Sequence, residues 1–223
     1  MYKNQFQEDY FKSRGNRINQ SKRDIQYCLE INRINAFFKN GILLDYGAGM
    51  GEFSQLFKSP ENRVYVYDIS DYAKSHLSKI GLSVIDDFGS IERNFFDCAI
   101  LRGVLQHLED PYNELIEIGA KIKLGGYLIL LSTPNTRSLS FFLTGKHPAI
   151  NPKKSYLYPV DINIISYLER NGFKLKKKYY PYWNSPYRNI LMDFLNLFLC
   201  VFGIKKEFPF FRNIMELYFE KTA

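Results

Sequence analysis

At residues 42–51 a short apolar run, Ile42-Leu43-Leu44-Asp45, leads directly into glycines at positions 47, 49 and 51. Glycine at every second position leaves no row of side chains to pack, so the chain has to turn sharply here. A buried strand followed by such a turn and then by the helix-forming Glu52–Lys58 is the start of a βαβ unit.

The pattern repeats along the chain. Strands are expected at Arg63–Asp68, Leu82–Asp86, Phe95–Leu101 and Gly126–Ser132, and further on at Phe173–Tyr180 and Met215–Lys221. Between them lie helix-like segments at Asp71–Ile80, with Ser70 or Asp71 as cap, at Pro111–Ile122 with proline at its start, and at Asp161–Asn171 closed by Gly172. Asp24–Lys39, stopped by Asn40-Gly41, precedes them all. Strands alternating with helices give an α/β fold: a seven-stranded, mainly parallel sheet flanked by helices. Such sheets bind ligands at the carboxyl ends of their strands, so the residues just after each strand are the informative ones.

A chain of 223 residues suits one domain, 1–223. Residues 1–40 form its helical cap. Segment 133–160, after the fifth strand, has prolines and glycines and no clear period, as expected of a lid. Segment 181–213, between the last two strands, is an insertion containing an apolar helix, Asn189–Phe202.

The formal net charge is +7, carried by small scattered groups of lysines. A basic surface attracts anionic partners, but no nucleic-acid motif accompanies it, and nucleic acid is not expected as a partner. Cys28, Cys98 and Cys200 have neither a disulfide framework nor zinc spacing, so no metal is expected and a reducing, cytoplasmic setting fits. The polar N-terminal stretch does not read as a signal peptide. Ile190–Ile204 falls short of the roughly 20 residues needed to span a bilayer.

The glycine turn invites a test for a nicotinamide dinucleotide. A GxGxxG motif starting at Gly47 needs Gly or Ala at 52, where Glu52 stands; one starting at Gly49 meets Ser54. Glu52 would also repel a pyrophosphate. The segment Asp45-x-Gly47-Ala48-Gly49-x-Gly51 instead resembles the glycine-rich motif of class I methyltransferases dependent on S-adenosylmethionine (SAM).

Further stretches carry the same resemblance in the same order. Asp68, 23 residues after Asp45, ends the second strand. Asp87-Phe88 follows the third. Phe96-Asp97 opens the fourth, which runs through Arg102 to Leu105-Gln106-His107-Leu108 and Pro111. Gly125-Gly126 then enters the fifth, and Thr133-Pro134-Asn135 leaves it. The resemblance implies a Rossmann-like fold with SAM as cofactor. It places Asp68 on the ribose hydroxyls, Ile69 on the adenine face, and Asp87 (or Asp86) with Phe88 around the adenine. Asp45, Gly47, Ala48, Gly49, Gly51 and Arg102 complete the expected cofactor set. A cationic sulfonium and ammonium suit a site rimmed by Asp45 and Glu52.

Methyl transfer from a sulfonium needs alignment and exclusion of water; a base is required only for a protonated nucleophile. His107, just after the fourth strand, is the expected base, with a structural role as the ordinary alternative. His147 in the lid is second. Thr133-Pro134-Asn135, the Gly145 loop and Leu157-Tyr158 resemble a branch acting in bacterial surface-polysaccharide and secondary-metabolite pathways. Tyr156 departs from that branch, which often has histidine there.

The expected activity is O-methylation of a glycan or other small-molecule acceptor. A quinone or lipid methyltransferase and a SAM-binding, non-catalytic partner protein are the alternatives. The apolar helix admits core packing, a homodimer contact, or a peripheral membrane contact through 189–206.

Overall fold

The computed structural model describes residues 8–15, 19–206, 208 and 212–223. Its strands are β1 (Gly41–Tyr46), β2 (Asn62–Tyr67), β3 (Ser83–Val84), β4 (Phe96–Arg102), β5 (Ile122–Pro134), β6 (Phe173–Tyr179) and β7 (Ile214–Lys221). The helices are α1 (Glu8–Gly15), α2 (Gln20–Ile34), α3 (Glu52–Gln55), α4 (Asp71–Lys79), α5 (Pro111–Ala120), α6 (Leu139–Thr144), α7 (Asp161–Arg170) and α8 (Ile190–Val201). The strands form one seven-stranded sheet in the order β3-β2-β1-β4-β5-β7-β6. β1 to β5 pair in parallel, whereas β7 runs antiparallel to both β5 and β6.

Alternation along the strands divides the core between the two faces of the sheet. Leu43, Val66 and Ile100 pack with Tyr27 and Ile34 of α2 on one face. Leu44, Ala99 and Leu101 pack with Leu115 of α5 and Ile164 of α7 on the other. Both faces are covered, which is why these strands read as nearly unbroken apolar runs.

Local chemistry sets the helix starts. The Ser70 hydroxyl accepts from the Ala73 amide at 3.3 Å and caps α4. Asp110 accepts from the Asn113 amide at 3.2 Å ahead of Pro111, the first residue of α5. The helix preceding β1 starts earlier than its apolar pattern suggests, because Asn19 caps it by accepting from the Lys22 amide at 3.0 Å, and it ends earlier, at Ile34. The helix expected over 52–58 closes after one turn; Pro60 disfavours helical geometry in the residue before it. α1 lies ahead of the helix before β1, within the segment expected as a helical cap. One helix falls where none was expected: α6, capped by Ser138 and ended by Gly145 at φ 68°.

Residues 135–160 are tied down rather than loose. The Thr136 amide donates to the Pro159 carbonyl (2.8 Å) and the Tyr156 amide to the Gln106 carbonyl (2.9 Å). From β1 the chain winds outward through β2 and β3, then returns to place β4 on the other side of β1. This reversal opens a crevice at the carboxyl ends of β1 and β4.

Candidate functional site

The crevice is built by tight backbone turns. Gly47 sits at φ 81°, and a Cβ there would lie 2.5 Å from the Val104 side chain, so the loops after β1 and β4 touch. The Gly47 and Ala48 amides donate to the Tyr67 carbonyl at 2.7 and 3.1 Å. Asp68, at the end of β2, braces the loop from the side. Its Oδ2 accepts from the Gly49 amide and its Oδ1 from the Ser70 amide, each at 2.9 Å. Burial raises the Asp68 carboxyl above the ordinary aspartate range.

Two adjoining cavities share Gly47, Gly49 and Arg102. The larger, about 220 Å³, is lined by Asp68, Ile69 and His107, with Tyr10 and Phe11 of α1 across from them. The smaller, about 90 Å³, is lined by Asp45, Ala48 and Glu52 together with Arg23 and Tyr27 of α2. Asp45 is 2% exposed and accepts from the Ser54 hydroxyl at 2.5 Å. Burial outweighs that hydrogen bond and lifts its carboxyl to about 6.

A polar network forms the floor. Arg102 Nε and Nη2 donate to the two carboxylate oxygens of Glu30 at 2.6 and 3.3 Å, and its guanidinium lies 4.6 Å from the Tyr27 ring centroid. Glu30 is fully buried and also accepts from Gln26 and from the Ser132 hydroxyl, each at 2.9 Å. Ser132 reaches it from a left-handed conformation, φ 47°, where the β5–β7 register shifts; a bulge of this kind re-aims a side chain. Arg23 pairs with Glu52 at 2.8 Å.

Most of the expected residues converge here. Asp45, Gly47, Ala48, Gly49, Asp68, Ile69, Arg102 and His107 all line one or both cavities. Three do not. Gly51 is buried away from them: a Cβ there would meet Leu77 and Leu82 at 2.6 and 2.7 Å, so this glycine serves close packing. Asp87 is exposed and caps a short turn by accepting from the Gly89 amide at 2.9 Å. Phe88 is packed into the core against Tyr46 and Tyr67. Asp86 is likewise exposed. With α3 only four residues long, no extended helix dipole faces the loop.

The two histidines differ. His107 places Nδ1 2.8 Å from the Lys154 carbonyl and Nε2 3.2 Å from the Gln106 amide nitrogen. A carbonyl can only accept, so Nδ1 carries the proton and the Nε2 lone pair faces the amide. His147 is buried, with Nε2 2.8 Å from the Asn213 carbonyl and Nδ1 accepting from the Ala149 amide at 3.0 Å. Both its nitrogens are used by the backbone, and it lines neither cavity. Tyr156 is exposed and lines neither cavity either.

The N-terminal contribution was not anticipated. Arg23, Tyr27 and Glu30 stand at i, i+4 and i+7, one face of a helix; a polar stripe at that spacing on a partly buried helix was the available signal.

A third cavity, about 250 Å³, shares Arg102 with the other two. Ser132, Tyr180, Tyr187, Arg188 and Arg212 line it. So do Gln26 and Asn213, whose buried Oε1 and Nδ2 have no hydrogen-bond partner among the described residues. Buried polar atoms left in this state favour a ligand or water that completes them.

Known proteins share this architecture. A family model described as a methyltransferase domain matches residues 19–184. A SAM-dependent methyltransferase from Archaeoglobus fulgidus superposes with a TM-score of 0.64 at 18% identity, covering 89% of this chain and 94% of its own. One from Mesorhizobium loti gives 0.59 at 13% identity, covering 86% and 97%. The [4+2]-cyclase SpnF gives 0.60 at 16%, covering 84% and 77%. No curated protein matches the chain in sequence. With most of the chain inside the family model and the fold in agreement, the chain belongs to the methyltransferase-domain family.

Proposed function

We propose that the protein transfers a methyl group from SAM to an oxygen of a glycan or another small-molecule acceptor. The observation that carries this is the glycine loop, held by Asp68 between two cavities whose polar groups suit the two ends of SAM. The smaller cavity offers the Asp45 and Glu52 carboxylates to a cationic sulfonium and ammonium, and Arg23 to a carboxylate. The larger offers Asp68 to ribose hydroxyls and Ile69 to an apolar ring face. Bound SAM supplies an electrophilic methyl carbon that needs no further activation.

In this reading the acceptor's reacting oxygen reaches the larger cavity beside His107, and the third cavity, which adjoins it at Arg102, holds the rest of the acceptor. His107 is the proposed base: with Nδ1 fixed on Lys154, Nε2 receives the acceptor proton once the Gln106 amide turns aside. The branch resemblance supports a glycan or small-molecule acceptor, in a cytoplasmic setting. The exposed apolar helix α8 favours a lipid or quinone acceptor as the second reading.

Because a cyclase shares this fold, cofactor binding and methyl transfer are tested separately. Calorimetric titration should show SAM and S-adenosylhomocysteine binding at micromolar strength, about −8 kcal/mol, with no NAD binding. Asp68→Ala should abolish it. No binding by the folded protein would overturn the reading. Binding without methyl transfer to any glycan, small-molecule or lipid extract would favour a non-catalytic partner protein.

A further inference from the structure

Helix α8 is turned inside out. Its buried residue is Asp193, which accepts from the Tyr182 hydroxyl at 2.6 Å on the side facing the protein. Its outward stripe is apolar: Leu191, Phe194, Phe198, Val201 and Phe202 are between 53% and 79% exposed. Positions i, i+3, i+7, i+10 and i+11 lie on one helical face. Helix α6 packs beside α8 and adds Phe142, 82% exposed. At roughly 200 Å² per large side chain, these six present on the order of 600–800 Å² of apolar surface, more than the largest patch on a typical monomer. Core packing, the ordinary expectation for such a helix, is therefore not what the structure uses it for.

The surroundings of the ridge are cationic. Lys205 and Lys206 follow α8 and are exposed, and Arg188 precedes it. A shallow groove of about 650 Å³ beside Phe142 carries Arg137 and Arg212. Asp193, the acidic residue of the helix, faces inward. An apolar stripe rimmed by basic groups complements an anionic lipid surface, with the rings among the acyl chains and the basic groups at the phosphates. Among the described residues no helix is long and apolar enough to cross a membrane. We propose that α6 and α8 seat the protein in the plane of an anionic membrane surface.

The same insertion supplies Pro181, Tyr182, Tyr187 and Arg188 to the wall of the third cavity. Seating on a membrane would thus bring that cavity close to the lipid headgroups. The docking itself does not depend on the methyl-transfer reading.

The test is flotation with vesicles of phosphatidylcholine alone or mixed equally with phosphatidylglycerol. Trp183, the single tryptophan and 63% exposed in the same insertion, is a reporter that needs no variant. Expected are flotation with the anionic vesicles, weakened by salt, and a blue shift of Trp183 emission. Leu191→Glu/Phe198→Glu should lower partitioning at least tenfold while calorimetric SAM binding is unchanged. Leu124→Glu, on an exposed residue of β5, should have no effect. Absence of flotation and of the emission shift would overturn the proposal, as would flotation that the double variant leaves intact. A concentration-dependent dimer in sedimentation velocity, abolished by the double variant with no vesicle binding by the wild type, would assign the face to a second copy of the chain.

Discussion

Arg102, at the end of β4, donates through two nitrogens to both carboxylate oxygens of Glu30 in α2, at 2.6 and 3.3 Å, and each residue is positioned by the other. The pair joins the N-terminal helix to the sheet at the point where all three cavities meet.

Removing one partner leaves the other charge buried and unpaired. Glu30→Ala should therefore destabilise the fold by about 3–5 kcal/mol, read as a lower urea midpoint. Replacing both, as Glu30→Leu/Arg102→Met, should cost less than the single change. Equal losses would show that packing, not charge pairing, holds α2 in place.

Asp45 gives the site a pH dependence. Its folded-state carboxyl, at about 6, lies above the ordinary value near 4, so folding favours the protonated acid. Its contribution to stability is full below about pH 4 and is lost as pH rises through about 6. A bound cation favours the ionised form instead. SAM affinity should be several-fold weaker at about pH 5 than at pH 7.5, and Asp45→Asn should flatten the difference in calorimetry. An unchanged slope in the variant would clear Asp45 of the effect.

The glycines separate into two kinds. Gly51→Ala drives a Cβ into Leu77 and Leu82 from a φ of 75°, so it should cost about 2–4 kcal/mol of stability from strain and overpacking together. At Gly49 the nearest atom, on Phe11, is 3.5 Å away. Gly49→Ala should cost about 1–2 kcal/mol and act chiefly on SAM affinity. Thermal melts paired with calorimetry distinguish the two.

For His107 the expected signature is kinetic. His107→Ala should lower kcat by roughly 10²–10⁴ while SAM affinity changes little, once an acceptor is in hand. Unchanged turnover would leave the ring as a tie between the loop after β4 and the Lys154 carbonyl.

The fold was legible because both faces of the parallel sheet are covered: a strand such as Gly41–Tyr46 announces itself by apolar residues and the glycines behind it. The cavity walls near β1 and β2 were legible for the same reason, since strand ends are fixed once strands are. The left-handed turn at Gly51 was legible, but its packing against Leu77 and Leu82, away from both cavities, was not, because turn and packing glycines look alike in sequence. Asp87 and Phe88 sit beyond a two-residue strand, where Asp87 caps the next turn and Phe88 packs behind Tyr46 and Tyr67 of the larger cavity. The walls given by Phe11, Arg23 and Tyr27 are long-range contacts from polar-looking helices, which no local pattern reveals. Nor could the sequence tell which side of α8 faces solvent: an apolar helix with one aspartate reads equally as a core element.

β7 lies between β5 and β6 yet follows both in the chain. During synthesis β5, thirteen residues long and largely apolar, therefore emerges with one edge open and must wait for the last strand to close it. Unpaired edges of this kind template the wrong neighbours. Chains that stop short of β7 should accumulate as insoluble protein, because β5 keeps an open edge and β6 has no neighbour to pair with.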